Sequence, residues 1–190
     1  MKTNESQQPV DAGESVSLRK AGMYLLMNDV TEDTMRPIIE WIIEENLKIK
    51  KRSHLTLIIC SPGGDVNACF AVIDTMKGST IPVHTVGLGM IASCGLLLFM
   101  SGTKGHRILT PNTSILSHQY SWGSSGKEHE LFSTVKEFEL TSQRIMHHYK
   151  KCTGLKEADI RKYLLPESDV WLDAKEAKKL NICDNIKTTY

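Results

Sequence analysis

The sequence carries no surplus of either charge. Its 23 Lys and Arg against 22 Asp and Glu leave a formal net charge of +1 over 190 residues. That balance removes the electrostatic case for nucleic acid or an anionic membrane as a partner. The small basic run Lys48 to Arg52 is expected to be a solvated helix end. Cysteine is scarce and poorly spaced for cross-linking: Cys60, Cys69, Cys94, Cys152 and Cys183 are odd in number and contain no C-x-x-C pair. This argues against a disulfide framework or a zinc knuckle, and for a reducing, cytoplasmic setting. Long apolar runs are missing as well. Leu96 to Met100 is too short to span a bilayer, and Met1 to Arg19 lacks the apolar core of a signal peptide. Gly63 and Gly64 are not followed by the Lys-Ser/Thr of a phosphate loop, so a bound nucleotide is not expected; no other cofactor is expected either.

What is present is an alternation of apolar runs and helical patterns. Met23 to Met27 reads as a short strand. Thr31 or Asp33 can cap a helix whose apolar face is Met35, Ile38, Ile39, Ile42, Ile43 and Leu47. Pro37 falls near its first turns, where a missing N–H matters least. Leu55 to Cys60 suits a strand buried on both faces. The turn Ser61-Pro62-Gly63-Gly64 follows, then a helix from Val66 to Met76. Val83 to Val86 makes another strand, and Ala92 to Met100 a buried helix. Arg107 to Thr110 and Ser114 to Ser117 continue the strands. Glu128 to Lys151 is a long helix, expected to project, either packed on its own domain or making an oligomer contact. Leu155 to Leu164 forms a shorter helix. Asp173 with Glu176 caps a last one ending near Asn181, and Ile182 and Ile186 close the chain as a weak strand. The alternation predicts an α/β fold with short parallel strands and helical crossovers. It forms one domain over residues 21–190, behind a flexible arm of residues 1–20 that needs a partner to order it.

The chemistry gathers around one serine. In Gly89-Met90-Ile91-Ala92-Ser93-Cys94-Gly95, small residues crowd Ser93 where a strand gives way to a helix. A serine hydroxyl reacts only with a general base in reach and with donors for the oxyanion that forms. Upstream, the Gly63-Gly64 turn offers bare backbone for an N–H donor. Downstream, His118 ends the apolar run Ile115-Leu116. A carboxylate is needed to orient the imidazole, and Asp159, Asp169 and Asp173 are the candidates. Asp159 lies within a helix and Asp173 serves as an N-cap. Asp169 approaches the apolar pair Trp171-Leu172, where a carboxylate can turn inward. Adjacent His147 and His148 point in different directions on a helix, with no histidine or carboxylate at i+4, so they are expected to face solvent or an interface and not a metal.

The segments GMIASCG, SPGGD, SILSHQ and DVWLDAKEAKKLNICD closely resemble the ClpP family of caseinolytic serine peptidases, over roughly residues 23 to 187. The resemblance implies Ser93 as nucleophile, His118 as general base and Asp169 as the orienting acid, with an oxyanion hole from the backbone N–H groups of Gly64 and Cys94. It further implies a crotonase-like ββα spiral with a handle over about residues 119–152, and substrate contacts at Gly63, Gln119 and Tyr120. Unfolded polypeptide would lie in the cleft as an added strand. Seven subunits would form a ring, and two stacked rings a chamber. An AAA+ Clp unfoldase would use ATP to feed it, and other ClpP-type subunits are possible ring partners. Tyr120 stands where the family usually has proline, Ser121-Trp122-Gly123-Ser124 replaces paired glycines, and Ile58 replaces a frequent aromatic.

Three rivals differ in chemistry. An α/β-hydrolase has a G-x-S-x-G elbow and the order Ser, acid, His; here Ile91 replaces the first glycine and the order is Ser93, His118, Asp169. An acyl-CoA enzyme of the crotonase type has a two-amide oxyanion hole without needing a Ser–His pair. A catalytically silent or modulatory scaffold subunit of a mixed Clp ring usually loses a triad member, whereas this chain keeps all three.

Overall fold

The structure is a computed structural model that describes residues 17–123 and 125–188. The chain runs β1 (Met23–Leu26), α1 (Glu32–Leu47), β2 (Leu55–Ser61), α2 (Val66–Gly78), β3 (Val83–Ala92), α3 (Cys94–Met100), β4 (Arg107–Leu109) and β5 (Ser114–Ser117). It continues through α4 (Glu128–Thr153), α5 (Glu157–Tyr163), β6 (Val170–Leu172), α6 (Ala174–Lys179) and β7 (Asn185–Ile186). Strands β1, β2, β3, β4 and β7 pair in that order, all parallel. The fold is therefore the expected mixed α/β one, with α1 and α2 as crossovers. Of the expected flexible arm, residues 1–16 lie outside the described residues, and the last four enter a turn in which the Met23 N–H reaches Leu18 O at 2.9 Å.

Strand β3 organises the sheet. Its first half pairs with β4 and its second half, Met90 to Ala92, with β5. Against β2 the register runs from Ile59↔Gly87 to Ser61↔Ile91, so β3 holds two extra residues there. Gly89, at φ +58, supplies the backbone for that bulge. The expected strand Val83 to Val86 thus extends to Ala92, because Gly87 and Gly89 allow the ladder to bend and continue. β6 pairs antiparallel with β5 at the rim; at three residues it is too short to show alternation in sequence.

The core lies between the sheet and α1, α2 and α3, whose seven residues are all buried. Thr31 caps α1 through a reciprocal bond with Thr34. The buried stripe of α1 is Met35, Ile38, Trp41 and Ile42, while Ile43 and Leu47 of the expected face are exposed. The stripe continues instead to Glu45, 3 % exposed, which pairs with Lys48 at 2.6 Å and Arg52 at 3.1 Å. The basic run is therefore partly a counter-charge rather than a simply solvated end. Burial works to raise the Glu45 pKa, and Lys48 and Arg52 outweigh it and hold the carboxyl below its ordinary value.

The long helix projects as expected: the described residues of α4 are buried only from Thr141 onward. His147 is exposed, but His148 is a core residue, 2 % exposed, and not at solvent or an interface. Its Nε2–H donates to Leu97 O at 3.0 Å, which anchors α4 to α3. Arg107 ties β4 to the chain end, bonding both carboxylate oxygens of Asp184 (2.9 and 2.7 Å) and Cys152 O (3.0 Å).

Two stability predictions follow from these buried groups. Arg107→Ala should lower stability by about 3 kcal/mol, because Asp184 would be left without its counter-charge; urea unfolding at fixed protein concentration measures it. His148 is held neutral, its pKa lowered to about 4 by burial. An unfolded histidine takes its proton near ~6.5. The unfolded chain therefore gains a proton that the folded one refuses, and stability falls as pH drops from about 6.5 towards 4. His84, stacked between His54 and His106, is also lowered to about 4, by burial and then by its neighbours, and acts in the same window. His148→Gln should flatten the fall by on the order of 3 kcal/mol at most, read from melting temperatures between those two pH values.

Candidate active site

Ser93 sits between β3 and α3 in a backbone conformation that L-residues rarely adopt, φ 52 and ψ −120. Bonds on both sides hold it there. Its N–H donates to Leu116 O on β5 at 3.0 Å, and its carbonyl accepts from Leu96 and Leu97 N–H at 3.0 and 3.2 Å. The small neighbours are required by contact. A Cβ on Gly63 would lie 2.7 Å from Ser93 Cβ, and one on Gly95 would lie 2.8 Å from Ser61 O. The β2–α2 turn therefore presses directly on the serine seat.

Gly64 and Cys94 meet at the cavity beside Ser93. Val30 forms a one-residue bridge to Gly64 by donating to Gly63 O and accepting from Asp65 N–H, each at 2.7 Å. The bridge itself uses neither the N–H nor the carbonyl of Gly64, which form the other edge of the turn. Cys94 Sγ donates to Gly64 O at 3.2 Å, which fixes that edge beside α3. Cys94 is the first residue of α3, so its own N–H has no acceptor within the helix. Its thiol is spent on backbone, as is that of Cys69 on Cys94 O at 3.4 Å, where burial pushes the Cys69 pKa well up.

His118 follows β5. Its Nδ1–H donates to Gln119 O at 2.6 Å, which leaves Nε2 as the ring nitrogen without that bond. Ser93, Cys94, Gly64, His118 and Tyr120 line one cavity of about 70 Å³, floored by Val66, Leu97, Ile145 and Tyr149. Gln119 lies beside it, its Nε2 donating to Leu165 O at 3.1 Å. The cavity thus gathers the expected serine, histidine and oxyanion groups.

Asp169 is placed differently. It does not turn inward: it is exposed, on the same side of the rim as Trp171, which is 57 % exposed. The β5–β6 register ends at Ser117↔Val170, so the next pair along the ladder sets Asp169 opposite His118. No hydrogen bond joins Ser93, His118 and Asp169 among the described residues; the Nδ1–H that an orienting acid would receive goes to Gln119 O. Asp173 caps α6 through Glu176 N–H at 2.7 Å, and Asp159 lies on the first turn of α5.

Two positioning residues went unread in the sequence. Ser117 Oγ donates to Leu164 O at 2.6 Å and accepts from Tyr149 OH at 2.7 Å, all buried. This bond pair clamps the residue before His118 to α4 and to the end of α5. The available signal was a serine at the inward position of an alternating strand. Among the described residues, no group of three or more His, Cys, Asp or Glu converges as a metal site, and no helix is long and apolar enough to cross a membrane.

A profile described as Clp protease matches residues 13–190. The chain is 37% identical over 134 residues to the ATP-dependent Clp protease proteolytic subunit 1 of Chlamydia caviae, which covers 70% of this chain and 69% of that protein. It is 28% identical over 188 residues to proteolytic subunit 2 of Treponema pallidum (97% and 92%). It is 35% identical over 134 residues to proteolytic subunit 2 of Corynebacterium glutamicum (70% and 66%). With a family match over nearly all of its length, and a relative 37% identical over 70% of the chain, the chain belongs to the Clp protease family.

Proposed function

We propose that this chain is a serine endopeptidase, the proteolytic subunit of a compartmental Clp-type protease that hydrolyses unfolded polypeptides. One observation carries the reading: Ser93, in its strained seat, shares a single cavity with His118, whose Nδ1 is engaged by Gln119 O so that Nε2 is the nitrogen left to take a proton. The Ser93 hydroxyl attacks the scissile carbonyl as its proton passes to His118 Nε2. The oxyanion accepts from the Gly64 and Cys94 N–H groups. The proton then goes to the departing amine, and water, deprotonated by the same nitrogen, frees the acyl group. The N–H donors are fixed backbone, so they need no reorganisation as charge develops. Asp169 completes the set when His118 Nδ1–H exchanges Gln119 O for the carboxylate opposite it on the ladder, a side-chain movement that leaves the strands in place. Stacked heptameric rings and an ATP-driven unfoldase supply the chamber and its feed.

A second reading has one observation in its favour. With Nδ1–H bound to Gln119 O and Asp169 exposed, the triad is unassembled, as it would be in a silent or modulatory subunit of a mixed ring.

Labelling separates the two. Assembled protein treated with a fluorophosphonate should gain one adduct by intact mass, absent in Ser93→Ala. Absence of label on assembled wild type supports the silent subunit. Ser93→Ala and His118→Ala should each lower peptide hydrolysis by about 10⁴-fold or more, and Asp169→Asn by a comparable factor. Gly63→Ala introduces a Cβ against Ser93 at φ +97. It should reduce kcat/KM by about 10²-fold through displacement of the serine, as measured in steady-state peptide assays.

A further inference from the structure

Two cavities meet at one side chain. The cavity of about 70 Å³ beside Ser93 adjoins a larger one of about 450 Å³ along α4, lined in part by Phe138, Met146 and Leu165. Tyr120 and Ile145 line both. Ile145 belongs to the buried face of α4 and is fixed by the core. Tyr120 lies in the irregular segment after β5 and is held from outside: its ring stacks on Phe138 at 5.7 Å and 19°, and Trp122 packs on the same ring at 4.9 Å. The partition between the cavities is thus an aromatic side chain on a loop, braced by a helix.

A peptide laid in the cleft with its carbonyl at Ser93 turns the side chain of that same residue into the nearest hollow, which is the smaller cavity. Its floor of Val66, Leu97, Ile145 and Tyr149 is apolar and buried, with no carboxylate or ammonium to receive a charge. Its volume is about half that of the ~150 Å³ apolar cavity known to take up a benzene molecule. An aromatic ring does not fit, whereas a methyl or isopropyl group does.

We propose that Tyr120 is a specificity-determining wall that restricts the residue before the scissile bond to small aliphatic side chains, alanine and valine above phenylalanine. The proposal rests on the reading of Ser93 as the attacking group, because Ser93 lines this hollow and so makes it the seat of that residue. Removing the wall joins the two cavities and admits large side chains.

The test uses the assembled full chain and peptides that differ only in having Ala, Val, Leu or Phe at that residue. Two readouts are taken: kcat/KM with the Ser93 protein, and equilibrium binding to Ser93→Ala, which needs no chemistry. Wild type should favour Ala and Val over Phe by at least tenfold. Tyr120→Ala should improve Phe relative to Ala at least tenfold in both readouts. Tyr120→Phe, which keeps the ring, should retain the wild-type order. Should Tyr120→Ala fail to assemble, Tyr120→Leu serves, with an intermediate shift expected. Binding without size preference, or a preference that Tyr120→Ala and Tyr120→Leu leave unchanged, overturns the wall. Size-selective binding to Ser93→Ala, together with absent labelling of wild type, leaves a size-selective hollow without the serine mechanism and overturns its assignment to the residue before the scissile bond.

Discussion

The contact between two turns governs this structure. The β2–α2 turn and the β3–α3 junction approach so closely that any side chain on Gly63 or Gly95 would collide with the opposite backbone or with Ser93 itself. That closeness does three things at once. It places the Gly64 edge beside the start of α3, it strains Ser93 into a positive φ, and it buries the short helix that follows. A strained residue persists only where its surroundings over-determine it. Here the bonds to Leu116, Leu96 and Leu97 on one side and the glycine turn on the other provide that determination.

The long-range features of the fold were legible where apolar runs were long. The continuous run of β2 and the stripe of α2 read directly, because each is buried as its period requires. Reading failed where one residue type served two purposes. Glycines at 87 and 89 signal a break in a strand, yet here they carry a bulge within β3. Ile43 and Leu47 of α1 match a helical face, but the buried stripe follows Trp41 and ends on a neutralised Glu45. His148 carries the polarity of a surface residue and occupies the core, because the Leu97 carbonyl midway along α3 accepts from it.

The site divides in the same way. The meeting of Ser93, Gly64 and Cys94 in one cavity was readable because small residues in fixed order betray a backbone constraint. His118 was readable from its place at a strand end. The position of Asp169 was not, because its side chain depends on which partner His118 Nδ1–H takes, and the adjacent Gln119 carbonyl competes for it at 2.6 Å. The Ser117–Tyr149–Leu164 clamp was invisible for a related reason: it joins three elements far apart in sequence by hydrogen bonds that no periodicity records.

The bulge in β3 has a consequence in parity. Two residues lie between the paired positions Ile59↔Gly87 and Ser61↔Ile91 beyond what the partner strand supplies. Side chains alternate with a period of two, so an even insertion leaves every later residue on its original face, and an odd one inverts them all. Ile91 therefore stays in the core, and Ser93 emerges in register with β5 and the cavity. Length changes in the segment Leu88 to Met90 are compatible with the site only in pairs, since a single deletion would turn the serine to the other face of the sheet while leaving its chemistry intact.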